Sequence, residues 1–222
     1  MDKKVEQAVN AALKCFRPIL GDTGIDFNMA IKEAFNADKP YLEKVALLDV
    51  VFDDHPETEA LREVFFDLLL VNFFTEDVQK LEEDYLESSE WEAIEEETLD
   101  RGTELLNLLL YLRECEDEDI EPELEDYLNE FLLVNDDEFQ DEHRIYEDII
   151  SNQILVESSY EEIARVAGKL DESSEIGELF YPVMSFFYEQ NPSAQQEEEY
   201  AKHSRDEDFD VPVYAVLTAF NH

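Results

Sequence analysis

Glycine, cysteine and basic residues are all scarce in this chain, and each shortage narrows what the protein can be. The 222 residues include five Gly, two Cys and 16 Lys or Arg, against 59 Asp or Glu. With so few glycines, and with no run that alternates apolar and polar residues convincingly, strands are not expected. Cys15 and Cys115 are too few for a disulfide framework and lack CxxC spacing, so we expect a reducing, cytoplasmic location.

Long apolar runs and basic stripes are also missing. The longest apolar runs, such as LLLVNFF at 68–74, fall far short of the roughly 18 residues that a membrane span needs. Residues 1–20 are amphipathic, unlike a signal peptide. Without a basic stripe to neutralise phosphates, direct nucleic-acid binding is not expected. We therefore expect no membrane partner and no nucleic-acid partner.

Recognisable catalytic and metal-binding motifs are absent. The sequence contains no P-loop, GxGxxG, GxSxG or HExxH pattern. Gln140 stands three residues before His143, where a helical di-iron motif needs Glu. The acidic segments 53–59 and 135–142 lack the glycine and the spacing of an EF-hand. We predict no catalytic residues, no cofactor and no dedicated metal site, so that the protein is not expected to be an enzyme.

Apolar residues at helical spacing dominate what is present. Hydrophobic residues make up 44% of the chain and aromatic residues 12%, which is enough for a core. One example is the first helix, whose apolar face follows the 3.6-residue period through Val5, Ala8, Val9, Ala12, Leu13 and Phe16. The sequence predicts one all-α domain over 1–222, either a multi-helix bundle or a short HEAT- or TPR-like helical-repeat array of about 10–13 helices.

Several local signals predict where helices begin. Ser89–Glu92 and Ser159–Glu162 have the spacing of capping boxes. Pro122 is predicted to open one helix and Val211–Pro212 the last, with a short strand near Val211–Val213 as the alternative. The acidic run 114–126 is interpreted as a loop.

A weak internal duplication is suggested by two similar segments. PETEALREVFFDLLLVN at 56–72 resembles PELEDYLNEFLLVN at 122–135, and each follows an apolar helix. The unit is about 60 residues long and would cover 41–100 and 103–157. Stacked helical repeats bury each other's apolar faces in this way. The alternative is that any two acidic amphipathic helices look alike.

Negative charge is very unevenly distributed along the chain. Residues 1–50 hold seven basic and eight acidic residues, whereas 51–222 hold nine basic and 51 acidic residues. The run ECEDEDIEPELED at 114–126 contains nine carboxylates and no basic residue. Such a surface attracts cationic partners by long-range steering that salt weakens. The charge therefore predicts a basic protein partner.

Candidate contact residues come from the most acidic segments and from the single tryptophan. Trp91 lies in a helix with few other apolar residues, where an exposed ring could anchor a partner; packing on a neighbouring helix is the alternative. Tyrosines between 127 and 200 carry the same two interpretations. The predicted partner-binding residues are Trp91, Glu92, Glu95, Glu96, Glu116, Asp117, Glu118, Asp119, Asp136, Asp137 and Glu138.

Three functional hypotheses follow from the sequence. The favoured one is a non-catalytic acidic interaction module that binds a basic surface, such as an inhibitor, an immunity-type protein or a nucleic-acid mimic. The alternative is a helical-repeat scaffold or adaptor that holds a peptide or protein in a groove. A carboxylate-based metal-binding enzyme is the least favoured of the three.

Overall fold

A computed structural model describes residues 1–20, 24–75, 83–132, 144–171 and 173–222. These ranges contain helices and no strand, which confirms the predicted all-α fold. The α-helices are α1 (Lys3–Leu20), α2 (Gly24–Asn36), α3 (Tyr41–Asp53), α4 (Arg62–Thr75), α5 (Glu83–Leu86), α6 (Ser89–Thr98), α7 (Leu105–Glu118), α8 (Leu124–Leu132), α9 (Glu147–Ser151), α10 (Tyr160–Ala167), α11 (Gly177–Tyr188), α12 (Ala194–His203) and α13 (Glu207–Phe220). Short 3-10 helices occupy Pro56–Leu61 and Gln153–Glu157.

The chain divides into two compact units. The first unit is Met1–Leu106 and the second is Asn107–His222. The single domain over 1–222 and the duplication over 41–100 and 103–157 remain predictions. Part of each proposed copy, 76–82 in one and 133–143 in the other, lies outside the described residues.

Helix α4 forms the centre of the first unit. Every residue from Val64 to Asn72 is buried, because α4 packs against α1, α3 and the 3-10 helix before it. An aromatic row of Phe27, Phe52 and Phe65, with ring centroids 5.6–5.7 Å apart, joins α2 and α3 to α4. A helix surrounded in this way needs apolar residues on all sides rather than along one stripe.

Helix α11 has the same role in the second unit. Residues from Leu179 to Phe186 are buried, since α11 packs against α13, α10, α9 and the 3-10 helix Gln153–Glu157. Much of this core is tyrosine. The six tyrosines between 127 and 200, for which the sequence left open either packing or contact with a partner, belong to this core. Tyr127, Tyr146, Tyr160, Tyr181 and Tyr200 are buried, and Tyr188 is half-buried.

Three predicted helix starts differ in the structure, and α8 begins at Leu124 instead of Pro122. The cap of α6 is Ser88, whose hydroxyl accepts a hydrogen bond from the Trp91 N–H, so that the predicted cap Ser89 is one residue late. The last helix begins at Glu207 instead of Val211, and the alternative strand is absent. Its earlier start follows from Asp210, whose carboxylate accepts hydrogen bonds from backbone N–H groups before the helix. The Ser159 cap on the Glu162 N–H is confirmed.

None of the helices in the described ranges combines the length and the apolar character that crossing a bilayer would require.

Candidate functional site

Trp91 packs against other aromatic residues of the first unit. Its ring lies 5.3 Å from Phe74 and 6.4 Å from Tyr85 between centroids, and the side chain is half-buried. The interpretation that Trp91 packs onto a neighbouring helix therefore describes its position. The ring and the buried Ile94 attach α6 to the aromatic cluster near the end of α4.

The predicted acidic residues of α6 face solvent. Glu92, Glu95 and Glu96 are all exposed. Because Trp91 and Ile94 occupy the inner positions of the same helix, these carboxylates form its outer surface. This group belongs to the first unit, and the group at 116–119 belongs to the second.

The acidic run 114–126 is a helix end, a turn and a helix start rather than the predicted loop. Helix α7 continues through Glu118, about one turn beyond its last apolar core residues. It ends with hydrogen bonds from the Asp119 N–H to the Glu116 carbonyl and from the Ile120 N–H to the Cys115 carbonyl. Asp119 has a positive φ of 57°. This is a Schellman motif, with aspartate at the position that glycine usually occupies.

Tyrosine hydroxyls fix the turn to the core of the second unit. The Tyr111 hydroxyl donates to the Glu123 carbonyl and accepts from the Glu123 N–H, at 3.1 Å in each case. The Tyr127 and Tyr146 hydroxyls lie 2.9 Å apart in the buried layer beneath. The Gln190 side chain donates to the Pro122 carbonyl at 2.7 Å. The backbone that carries the carboxylates is therefore held from inside.

The carboxylates of this run are exposed and have little compensation from basic groups. All nine are solvent-exposed. Arg113 contacts Glu116 at 3.1 Å and Asp117 at 3.5 Å. Elsewhere in the run, no Lys or Arg of the described ranges lies within 4.0 Å of a carboxylate oxygen of Glu118, Asp119, Glu121, Glu123, Glu125 or Asp126. We define these nine carboxylates with their backbone as the acidic turn.

Like charges also meet across the two helices. Partial burial, a hydrogen bond with the Glu114 side chain and the nearby charges of Glu114 and Glu118 raise the pKa of Glu130 to about 7. Glu130 on α8 therefore takes up a proton more readily than an exposed glutamate does. Burial is the largest cause, and the negative charges at the end of α7 add to it.

Asp136, Asp137 and Glu138, the remaining predicted contact residues, lie outside the described residues.

The sequence did not reveal an arginine–carboxylate network in the first unit. The Arg101 guanidinium donates to Glu63 at 3.0 and 3.1 Å and to Asp49 at 2.9 and 3.2 Å, and it lies over the Phe66 ring. Arg62 shares Asp49 as an acceptor. The sequence did contain a signal for this network. Arg62 and Arg101 are two of only three Lys or Arg residues between 51 and 106, where carboxylates are abundant.

A buried carboxylate completes this network. Asp67 is fully buried and accepts hydrogen bonds from the Thr103 hydroxyl at 2.6 Å and the Thr103 N–H at 3.1 Å. Burial raises the pKa of Asp67 well above its usual range, although these hydrogen bonds act in the opposite direction. The contacts fix the segment after α6 to α4, so the network holds the fold together.

Within the described ranges, no group of three or more His, Cys, Asp or Glu side chains is arranged to hold a metal ion. Comparisons of the chain with protein families, with curated proteins and with solved structures found no match.

Proposed function

We propose that the protein is a non-catalytic interaction module whose acidic turn binds the basic surface of another protein. The observation that carries this proposal is the exposure of nine carboxylates on a helix–turn–helix backbone that buried tyrosines hold in place. A fixed array of negative charge attracts a cationic partner over long range and loses little conformational freedom on binding. An inhibitor, an immunity-type protein or a mimic of nucleic acid would use such an array.

Several residues of the acidic turn lower the stability of the fold, and this supports the same proposal. Four carboxylates lie in the last five residues of α7, at the negative end of the helix dipole, where each is unfavourable by about 0.3–1 kcal/mol. Asp119 adds a further cost, because a residue with a Cβ occupies a left-handed conformation. Residues that oppose local stability are expected where a surface serves binding.

We place this activity in a reducing, cytoplasmic compartment, which two cysteines without a disulfide support: Cys15 is half-buried and Cys115 is buried.

The test is affinity capture from the cells that make the protein, followed by identification of the captured proteins by mass spectrometry. The wild type should recover basic proteins that 0.5 M salt releases. A variant with Glu116→Gln, Asp117→Asn, Glu118→Gln and Asp119→Asn should lose them, because it removes four carboxylates from the acidic turn. The affinity of the purified pair should fall at least about tenfold.

The matched control removes the same number of charges elsewhere in the second unit. It carries Glu157→Gln, Glu197→Gln, Glu198→Gln and Glu199→Gln, all at exposed positions. It should retain the partner within about twofold, since the acidic turn is intact. If both variants lost the partner equally, the interaction would depend on the net charge of the protein and not on the acidic turn. Recovery of neutral proteins that salt does not release would favour the scaffold hypothesis instead.

A further inference from the structure

A pocket in the first unit combines apolar walls with cationic groups, which is unexpected in so acidic a chain. It has a volume of about 350 Å³ and lies among the start of α3, the end of α4 and α6. Leu42, Leu69, Phe73, Ala93 and Ile94 supply apolar surface. A pocket of this size holds far more than one water molecule, which occupies about 30 Å³, and it falls within the range of small-molecule sites.

The positive end of helix α3 forms one wall. Pro40, Tyr41 and Leu42 at this helix start all line the pocket. No side chain of the described residues caps the helix, and the hydrogen bonds to the Pro40 carbonyl come from Glu43 and Lys44, beyond the first two helical residues. Uncapped N–H groups at a helix start favour a bound anion.

A buried hydroxyl provides a second and independent indication of a ligand. The Tyr41 side chain is 5% exposed, and its hydroxyl has no hydrogen-bond partner among the described residues. Burial without a partner is costly for a hydroxyl group. Because Tyr41 lines the pocket, a polar group of a bound molecule can supply the missing hydrogen bond.

The charged groups around the pocket favour an anion. Lys39 and Lys44 line it together with one carboxylate, Glu90. Lys39 also contacts Glu43 at 2.6 Å in an exposed pair, and Lys44 donates to the Phe35 carbonyl at 3.2 Å. An exposed pair of this kind contributes at most about 1 kcal/mol, so Lys39 can turn to a ligand at little cost.

Burial raises the pKa of the Tyr41 hydroxyl, and two carboxyl groups of α4, Asp67 and Glu63, are close enough that their charges add to this effect. Glu63 is neutralised by its two contacts with Arg101. Asp67 is fully buried and hydrogen-bonded to Thr103. Among the residues that line the pocket, two are cationic, Lys39 and Lys44, and one is a carboxylate, Glu90.

We propose that this pocket binds a small amphiphilic carboxylate, with its aliphatic or aromatic body against α4 and α6. Its anionic head would lie at the start of α3, near Lys39, Lys44 and the Tyr41 hydroxyl. The proposal is independent of the acidic turn, which belongs to the second unit.

Three probes with the same ten-carbon chain separate the contribution of the head group. Decanoate should bind with 1:1 stoichiometry in isothermal titration calorimetry, more tightly than decanol and more tightly than decyltrimethylammonium. The general field of a chain with net charge -43 predicts the reverse order for the two charged probes. Trp91, the only tryptophan, is next to Glu90 of the lining and gives a second readout by its fluorescence.

Variants of the lining locate the binding. Ala93 is exposed at the pocket, so that Ala93→Phe can fill the space without disturbing the core; it should weaken decanoate binding at least about tenfold. The matched control is Ala46→Phe at an exposed position of α3 outside the lining, which should change the affinity less than about twofold. The double variant Lys39→Gln, Lys44→Gln should remove the preference for decanoate over decanol.

Tyr41→Phe separates a ligand contact from a structural role. This variant should weaken decanoate binding without lowering the melting temperature of the ligand-free protein, because it deletes a hydroxyl that has no partner in the described part of the chain. The proposal is overturned by three results: no saturable binding of decanoate up to about 1 mM, tighter binding of decyltrimethylammonium, or decanoate binding that Ala93→Phe leaves unchanged.

Discussion

At the end of α7, a single aspartate holds a backbone conformation that glycine usually supplies. Asp119 has φ of 57° and follows four carboxylates at the negative end of the helix. We expect Asp119→Gly to raise the free energy of unfolding by about 1 kcal/mol, because glycine adopts this conformation without a Cβ clash and removes one unfavourable charge. Urea denaturation followed by circular dichroism measures the change.

Two further substitutions divide this effect between backbone and charge. Asp119→Asn keeps a side chain that tolerates left-handed φ and removes only the charge, so its gain should be smaller than that of glycine. Asp119→Ala should gain least, or lose stability, since it keeps the backbone strain. A more stable alanine variant than glycine variant would contradict the Schellman assignment.

The carboxyl pair between α7 and α8 makes stability depend on pH. Partial burial and Glu114 raise the pKa of Glu130 in the folded protein to about 7, from 4.5. The folded state therefore binds more protons than the unfolded state between these values, and this pair makes the protein less stable as pH rises from about 4.5 to 7. We expect Glu130→Gln to raise the melting temperature at pH 8 and to have little effect at pH 4.5.

The control for this prediction lies on the same helix. Glu125 is exposed on α8, and Glu125→Gln should shift the melting temperature by a similar small amount at both pH values. If the gain from Glu130→Gln were equally large at pH 4.5, the raised pKa of Glu130 would not be its cause.

Among the secondary-structure elements, the sequence predicts what depends on local pattern and misses what depends on distant contacts. The apolar period of α1 and the Ser159 cap concern neighbouring residues, and both could be identified. The true start of α13 depends on Asp210 folding back on Ser204 and Arg205. The period of the apolar residues predicts that a tyrosine ring is buried. It does not predict which group will form a hydrogen bond with the tyrosine hydroxyl.

The candidate sites follow the same division. Composition alone identified the acidity of 114–126, since charge requires no folding to be seen. The left-handed Asp119 and the hydrogen bonds of Tyr111 depend on the way in which α7 ends and the chain turns back. The pocket in the first unit joins residues from Lys39 to Ile94, and no local pattern connects segments that distant.

A tyrosine layer joins four elements of the second unit. The Tyr160 and Tyr214 hydroxyls lie 2.8 Å apart, and Tyr214 also donates to the Glu189 carbonyl at 2.7 Å. The Tyr214 ring stacks on Tyr200 with centroids 4.2 Å apart. With the Tyr160 ring 4.9 Å from that of Tyr188, these contacts connect α10, α11, α12 and α13, so that the layer contributes to the stability of the whole unit.

Removal of one hydroxyl from this layer tests its contribution. Tyr214→Phe should lower the free energy of unfolding by about 1–3 kcal/mol, because it leaves the Glu189 carbonyl and the Tyr160 hydroxyl without this contact. Tyr188→Phe is the control, since Tyr188 is half-buried and, within the described ranges, its observed contact is ring packing against Tyr160. The double variant Tyr160→Phe, Tyr214→Phe should lose less than the sum of the single losses. Exact additivity in urea denaturation would exclude coupling between the two hydroxyls.

For the molecule as a whole, the charges of both units oppose folding. The first unit has 27 acidic and ten basic residues, and the second has 32 acidic and six basic residues. Self-repulsion of this kind destabilises the compact state. Exposed ion pairs act in the opposite direction, but each contributes at most about 1 kcal/mol. The repulsion is therefore expected to dominate the response of stability to salt.

This balance predicts that sodium chloride stabilises the isolated protein. The screening length falls from about 30 Å at 0.01 M salt to about 3 Å at 1 M, which removes long-range repulsion before it removes short contacts such as that of Arg101 with Asp49. We expect the melting temperature to rise between about 0.01 and 0.5 M salt. The variant that lacks four carboxylates of the acidic turn should start at a higher melting temperature and rise less. A melting temperature that does not change with salt would mean that repulsion between the carboxylates does not significantly lower stability. A binding partner would then not be needed to explain why so acidic a sequence is retained.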